Sequence, residues 1–266
     1  MAWIVQPRWS SGEIYESYVG RWSRLVAREF IPWLGAPPGL DWLDVGCGTG
    51  MLTQAIAEQC IPERLAGIDA SGGFLEVARQ RLSGTAAELQ EADAQDLPFT
   101  ADEFDRVVSG LMLNFVPDKE KAAAEMARVA RSGGEVALYV WDYTGKMEMM
   151  RRFWDAAAEL NPYARELQDS WHASFCQPEP LQTLLEKVGL RNTDVRAIDV
   201  PTVFRDFDDY WTPFLAGQSP APAYCMSLSE EERAHLRERL RETLPTQPDG
   251  SIPLTARAWA VRGSKP

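Results

Sequence analysis

Three glycines at alternate positions constrain the fold of this chain more than any other feature. They stand in LDVGCGTG, residues 43–50, after an apolar run and before MLTQAIAEQ, where apolar residues recur at helical spacing. Glycines spaced in this way predict a tight turn whose backbone a ligand can approach closely. A strand, such a turn and a helix N-terminus together expose free N–H groups that bind anions and dipoles. The stretch therefore predicts a ligand-binding loop.

Strand-like runs and helical stretches alternate around this loop. Such alternation predicts βαβ crossovers, a parallel sheet and an α/β fold. The predicted strands span 40–46, 64–69, 87–93, 104–110 and 134–141, with two more at about 191–200 and 254–261. Ser71 is a predicted N-cap, and Ser229 with Glu232 forms a predicted capping box.

Two long segments break this alternation. Residues 142–177 and 201–253 are insertions rich in aromatic residues, and residues 1–39 precede the first strand. We expect a single domain, 1–266, in which 1–39 forms an N-terminal helical cover. Residues 40–141 form the cofactor-binding core, and the two insertions form a lid over the substrate site.

The composition limits the classes of partner. The chain has 39 acidic and 27 basic residues, a net charge of -12, which repels phosphate backbones. Its four cysteines form no CxxC pair, which is typical of a reduced, cytoplasmic chain without structural zinc. There is no signal-like leader and no apolar run of the roughly 18 residues that a membrane helix needs. We expect a cytoplasmic protein without nucleic-acid, membrane or metal partners.

Two acids indicate which ligand the loop binds. Asp69 ends the next predicted strand, where a carboxylate can bind a ribose diol. The loop has GxGxG spacing rather than the GxGxxG of dinucleotide sites, and Asp44 stands just before it. A carboxylate there repels a pyrophosphate and attracts a cation. S-adenosylmethionine carries an ammonium, a sulfonium and a ribose but no phosphate, so these residues favour it over NAD.

Five motifs in order carry a family resemblance. LDVGCGTG, GIDAS, EADAQDLPF, FDRVVSGLMLNFVPD and RSGG resemble the successive motifs of class I S-adenosylmethionine-dependent methyltransferases. They are most similar to the type 11 group, which includes ubiquinone and menaquinone biosynthetic methyltransferases. The resemblance covers about residues 40–141. It implies a Rossmann-like seven-stranded sheet with helices on both faces, in which LTARAWAV supplies a last, antiparallel strand.

The resemblance also implies roles around the methionine and ribose of the cofactor. Gly46, Cys47 and Gly48 would pass under the methionine part, in the loop that Gly50 closes. Asp44 would hold the ammonium through water or backbone. Asp69 would accept both ribose hydroxyls, and beside the sugar would lie Ala70 and Ser71.

Further roles lie along the next two strands. Asp93 would sit near the adenine amine, with Ala94 donating from its backbone, although Asp93 could instead cap a turn. The residues next to the sulfonium would be Ser109, Gly110 and Leu111. For Ser109, a hydrogen bond to backbone is an equal alternative.

The implied reaction is an in-line methyl transfer to a small, apolar or aromatic molecule. It needs a general base only when the acceptor arrives protonated, and the candidates are Tyr18 and His172. The substrate candidates are Trp154, Trp171 and Trp211, which could equally pack the insertions onto the core. The alternatives are a cofactor-binding protein without catalysis and an RNA methyltransferase.

Overall fold

A seven-stranded sheet organises the chain. The structure is a computed structural model that describes residues 20–169, 175–216 and 219–266. The strands are β1 Asp41–Val45, β2 Arg64–Asp69, β3 Glu88–Glu91, β4 Phe104–Gly110, β5 Ala130–Trp141, β6 Arg191–Phe204 and β7 Ile252–Ser264. Their order across the sheet is β3-β2-β1-β4-β5-β7-β6.

The strand before the glycine loop, β1, pairs in parallel with both of its neighbouring strands. β1 lies between β2 and β4, with Leu43 opposite Ala66 on one side and Val107 on the other. β2 pairs with β3 and β4 pairs with β5, also in parallel, whereas β7 runs antiparallel to β5. Parallel strands place their carboxyl ends on one edge, where ligands of open α/β sheets bind. The predicted α/β sheet with a last antiparallel strand is confirmed.

Ten α-helices are assigned within the described residues. They are α1 Arg21–Leu34, α2 Met51–Gln59, α3 Gly72–Arg81, α4 Lys119–Val129, α5 Glu148–Leu160, α6 Tyr163–Asp169, α7 Pro178–Lys187, α8 Phe207–Trp211, α9 Pro220–Ser227 and α10 Glu230–Thr243. Short 3-10 helices occupy Leu113–Phe115 and Thr212–Ala216. None of the described helices is both long and apolar enough to span a bilayer.

The described chain divides into two compact units. The sheet unit comprises 22–141, 175–198 and 258–266, and the helical unit comprises 20–21, 142–169, 199–216 and 219–257. The expectation of one domain with a cover and two insertions stays a prediction.

The sheet unit begins its helices largely where the sequence predicts. Ser71 caps α3 by accepting a hydrogen bond from the N–H of Phe74 at 3.3 Å. A clear difference lies at β5, because α4 ends at Val129 and β5 begins at Ala130 rather than at 134. The register of β4 against β5 shifts between Phe104 and Arg106, so the extra residues of the SGG stretch form a bulge inside the strand.

The helical unit is held together by aromatic packing. Phe153 of α5 stacks on Phe214 with ring centroids 4.4 Å apart, and Trp154 contacts Tyr224 at 5.4 Å. The hydroxyl of Tyr210 donates to the backbone oxygen of Met149 at 2.9 Å. The capping box that Ser229 and Glu232 form at the start of α10 is confirmed.

Candidate functional site

The glycine loop is fixed by backbone hydrogen bonds to the neighbouring strand. The N–H groups of Gly46 and Cys47 both donate to the carbonyl oxygen of Ile68 at 2.8 Å. The N–H of Gly50 donates to the carbonyl of Cys47, also at 2.8 Å, which closes the turn before α2. The loop is therefore shaped by the protein itself.

Two features of the structure require glycine at position 46. Its φ of +74° lies in the left-handed region that side chains disfavour. A Cβ at this position would also lie 2.2 Å from Cγ of Met112, which stands after β4. The glycine thus lets the segment after β4 contact the loop after β1.

Asp69 is held at the end of β2 by two N–H groups. Its Oδ2 accepts from the N–H of Gly48 at 2.9 Å, and its Oδ1 accepts from the N–H of Ser71 at 2.8 Å. An ionised carboxylate offers about four acceptor positions, so each oxygen keeps one for another donor. Burial, with a smaller contribution from the charge of Glu91, raises the pKa of Asp69.

Asp44 lies completely buried at the centre of this edge. Its side chain is 0% exposed, and its Oδ2 accepts from the hydroxyl of Thr53 at 2.6 Å. Its Oδ1 is buried and has no hydrogen-bond partner among residues 20–169, 175–216 and 219–266. A buried carboxylate oxygen without a donor is costly, and nearby positive charge lowers that cost.

The ionisation of Asp44 responds to this environment. Burial, with a smaller contribution from the charge of Asp69, raises its pKa to about 7, although hydrogen bonding from Thr53 opposes both effects. Burial and the two aspartates also raise the pKa of the Cys47 thiol, so the thiol stays neutral near pH 7. These residues form an acidic site suited to a cation.

The remaining predicted cofactor residues lie on the same sheet edge. Asp93 is exposed and its Oδ1 accepts from the N–H of Gln95 at 2.8 Å, so it closes a turn, while Ala94 next to it is buried. The hydroxyl of Ser109 donates to the backbone oxygen of Val45 at 2.7 Å. The contacts with adenine and sulfonium that the resemblance implies for these residues stay predictions.

The end of β4 turns sharply. Gly110 lies against the ring of Tyr139, since a Cβ there would be 2.5 Å from the phenol oxygen. Leu111 has a φ of +60°, which is rare for a residue with a side chain and is often found at functional sites. Its N–H donates to the carbonyl of Tyr139 at 2.8 Å.

The predicted base and substrate residues fall into two groups. Tyr18, Trp171 and His172 lie outside the described residues. Trp154 and Trp211 are buried in the aromatic packing of the helical unit. That packing supports the structural alternative for these two tryptophans, and their substrate role stays a prediction.

Sequence reasoning missed three residues at this edge, namely Thr53, Met112 and Asn114. Thr53 follows the glycine loop by one helical turn, so its closeness to Asp44 follows from the predicted helix start. Met112 and Asn114 follow β4, and no pattern in the sequence indicates their contacts.

Comparisons with known proteins agree with this geometry. A family model described as "methyltransferase domain" matches residues 43–138. Demethylmenaquinone methyltransferase of Desulfitobacterium hafniense is 30% identical over 177 residues, which cover 59% of this chain and 68% of that protein. The 2-methyl-6-phytyl-1,4-hydroquinone methyltransferase of Synechocystis is 29% identical over 236 residues, which cover 79% of this chain and 72% of that protein.

Solved structures share the fold. Phosphoethanolamine N-methyltransferase 2 of Haemonchus contortus, solved with S-adenosyl-L-methionine, superposes with a TM-score of 0.52 at 17% identity. The match covers 86% of this chain and 49% of that chain. The chain therefore belongs to the family of S-adenosylmethionine-dependent methyltransferases that carry this methyltransferase domain.

Proposed function

We propose that the sheet unit binds S-adenosylmethionine at the edge formed by the glycine loop and Asp69, and that the protein methylates a hydroxylated aromatic molecule. The observation that carries the proposal is the Asp69 carboxylate. Its two oxygens are fixed by Gly48 and Ser71 and keep two acceptor positions, which match the two hydroxyls of a ribose.

The other residues of the edge fit the same cofactor. Gly46 and Gly48 present bare backbone to the methionine part. Asp44 is fully buried, so it acts on the ammonium through its field and through the intervening backbone or water. When bound, the cofactor supplies an electrophilic methyl group whose transfer leaves a neutral thioether.

The choice of acceptor rests on the relatives. Their names specify demethylmenaquinone and a phytyl hydroquinone, both built on aromatic rings that carry oxygen. A hydroquinone reacts best once a hydroxyl proton has left, so a base has a role in this reaction. Tyr18 and His172 stay candidates for that base, and coverage of the acceptor by the two insertions stays a prediction.

A methyl-transfer assay tests the proposal. The protein is incubated with methyl-labelled S-adenosylmethionine and with 1,4-dihydroxynaphthalene that is kept reduced. We expect label in a product heavier than the acceptor by one CH2 group, found by mass spectrometry. A thermal shift should accompany binding of S-adenosylmethionine and S-adenosylhomocysteine but not of NAD, because a ligand that binds only the folded state stabilises it.

A comparison of Asp69→Ala with a control variant tests the ribose assignment. Loss of a charged acceptor for two hydroxyls should weaken cofactor binding roughly 10- to 100-fold. Asp96→Asn, which alters an exposed carboxylate on the loop after β3, should leave binding unchanged. Unchanged affinity in Asp69→Ala contradicts the ribose assignment, and labelled product from RNA but not from aromatic acceptors contradicts the acceptor assignment.

A further inference from the structure

The side-chain amide of Asn114 is buried, and its N–H group has no acceptor among the described residues. Its side chain is 1% exposed, and within the described part of the chain Nδ2 forms no hydrogen bond. An unpaired buried amide is expensive because its hydration is lost without replacement. A retained group of this kind is explained by a partner other than the described residues, such as a bound molecule.

The position of Asn114 relates it to the candidate site. It lies in the single 3-10 turn Leu113–Phe115 that directly follows the end of β4. Two residues earlier, Met112 fills the space above Gly46 in the glycine loop. Asn114 therefore belongs to the segment that contacts the proposed cofactor loop.

Nearby buried hydroxyls are satisfied, unlike this amide. Ser109 donates to the backbone oxygen of Val45, and Thr53 donates to Asp44. The indole N–H groups of Trp42 and Trp141 also lack partners among the described residues, but Trp42 is the second residue of β1 and Trp141 is the last residue of β5, so both lie within the sheet, whereas Asn114 lies beyond the carboxyl end of β4. Ligands of open α/β sheets bind at that end of the strands.

We infer that the amide of Asn114 binds the methyl acceptor by donating a hydrogen bond from Nδ2 to an oxygen of that molecule. This inference rests on the proposed function, since it names the group that recognises the acceptor at the same edge. A neutral amide N–H pairs well with a hydroxyl, phenolate or carbonyl oxygen and cannot pair with an ammonium. The donor Nδ2 therefore suits an acceptor molecule that presents an oxygen to it.

Asn114→Leu tests the inference because leucine keeps the shape of the side chain and removes the donor. We expect the variant to be as thermostable as the wild type or more so, since a buried unpaired group is gone. Its affinity for S-adenosylhomocysteine should be unchanged. The KM for 1,4-dihydroxynaphthalene should rise about 10- to 100-fold, as expected when one buried hydrogen bond to a substrate is lost.

Asn114→Gln keeps the N–H donor on a longer side chain and should recover part of the affinity for the acceptor. Asn114→Asp removes the donor and should resemble Asn114→Leu in KM. These variants separate recognition from packing. If Asn114 had a purely structural role, the substitutions would change thermostability, and the KM for the acceptor would not differ between donor and non-donor side chains.

Each outcome decides the matter. If the wild type is active and the KM of Asn114→Leu is unchanged, the inference is overturned while the proposed function stands. The amide would then bind a buried water. Weaker binding of S-adenosylhomocysteine also overturns the inference, because the amide would then serve the cofactor. Failure of the wild type to methylate any hydroxylated aromatic overturns the proposed function, and the inference falls with it.

Discussion

At the scale of single residues, two carboxylates, Asp44 and Asp69, lie at one sheet edge. Burial and the charge of Asp69 raise the cost of ionising Asp44, and the hydroxyl of Thr53 only partly offsets that cost. A folded protein retains such a pair where a ligand makes it favourable. The acidity of the site is therefore better explained by binding than by stability.

Replacement of Asp44 by Asn should change how stability depends on pH. The pKa of Asp44 is raised from 3.8 to about 7, so between these values the folded state holds a proton that the unfolded state has lost. The free energy of unfolding of the wild type therefore falls as pH rises through this interval. Relative to the wild type, Asp44→Asn should gain roughly 3 kcal/mol between pH 5 and pH 8.

Urea denaturation of both proteins without cofactor, at these two pH values, measures this difference. Equal pH dependence in the two proteins would show that Asp44 is ionised in the folded state throughout the range.

The sequence indicates some of the site residues and not others. Asp69 and Asp44 are predictable because each stands at a fixed place relative to a strand end or the glycines. Asn114 is not, since its burial and lack of a partner depend on packing between segments distant in sequence. The sequence also leaves the functions of Asp93 and Ser109 open, and the structure adds only their local hydrogen bonds.

At the scale of elements, the glycine loop and the segment after β4 behave as one steric unit. Gly46→Ala adds the strain of a positive φ to a clash with Met112. We expect a loss of about 2–5 kcal/mol in the free energy of unfolding, the sum of left-handed strain and overpacking.

Gly133→Ala is the matched control, because Gly133 has a φ of +77° and open space around its Cβ position. It should lose only about 1–2 kcal/mol. Denaturant titration of both variants, of Met112→Gly and of Gly46→Ala combined with Met112→Gly separates strain from clash, because the Cβ of Met112 would itself lie 2.7 Å from the added methyl. If Gly46→Ala costs as much in the Met112→Gly background as in the wild type, the clash with Met112 is not the cause.

Element boundaries show where local sequence stops being sufficient. Side-chain caps such as Ser71 and Ser229 act within one turn, so their positions follow from the sequence. The described part of the first insertion forms two helices, α5 and α6, since α5 ends at Leu160 with Asn161 as its C-cap, just before Pro162. β5 begins early because its pairing with β4 extends it, and that pairing is not local.

At the scale of the whole molecule, the charge of the chain opposes polyanionic substrates. A net charge of -12 should leave the protein without measurable affinity for RNA. A gel-shift titration with bulk tRNA in low salt should show no complex tighter than about 10⁻⁴ M, the weak end of non-specific binding. A micromolar complex would return the RNA methyltransferase to consideration.

The contact between Met112 and the position of Gly46 has a consequence for engineering. Because Met112 packs against the loop that would hold the cofactor and stands two residues before Asn114, neither segment can be redesigned freely without the other. A search for variants with new acceptors should therefore randomise position 114 and keep Met112 and Gly46 as a fixed pair. Libraries that vary position 112 would alter cofactor affinity and acceptor choice together, which would mask any change in specificity.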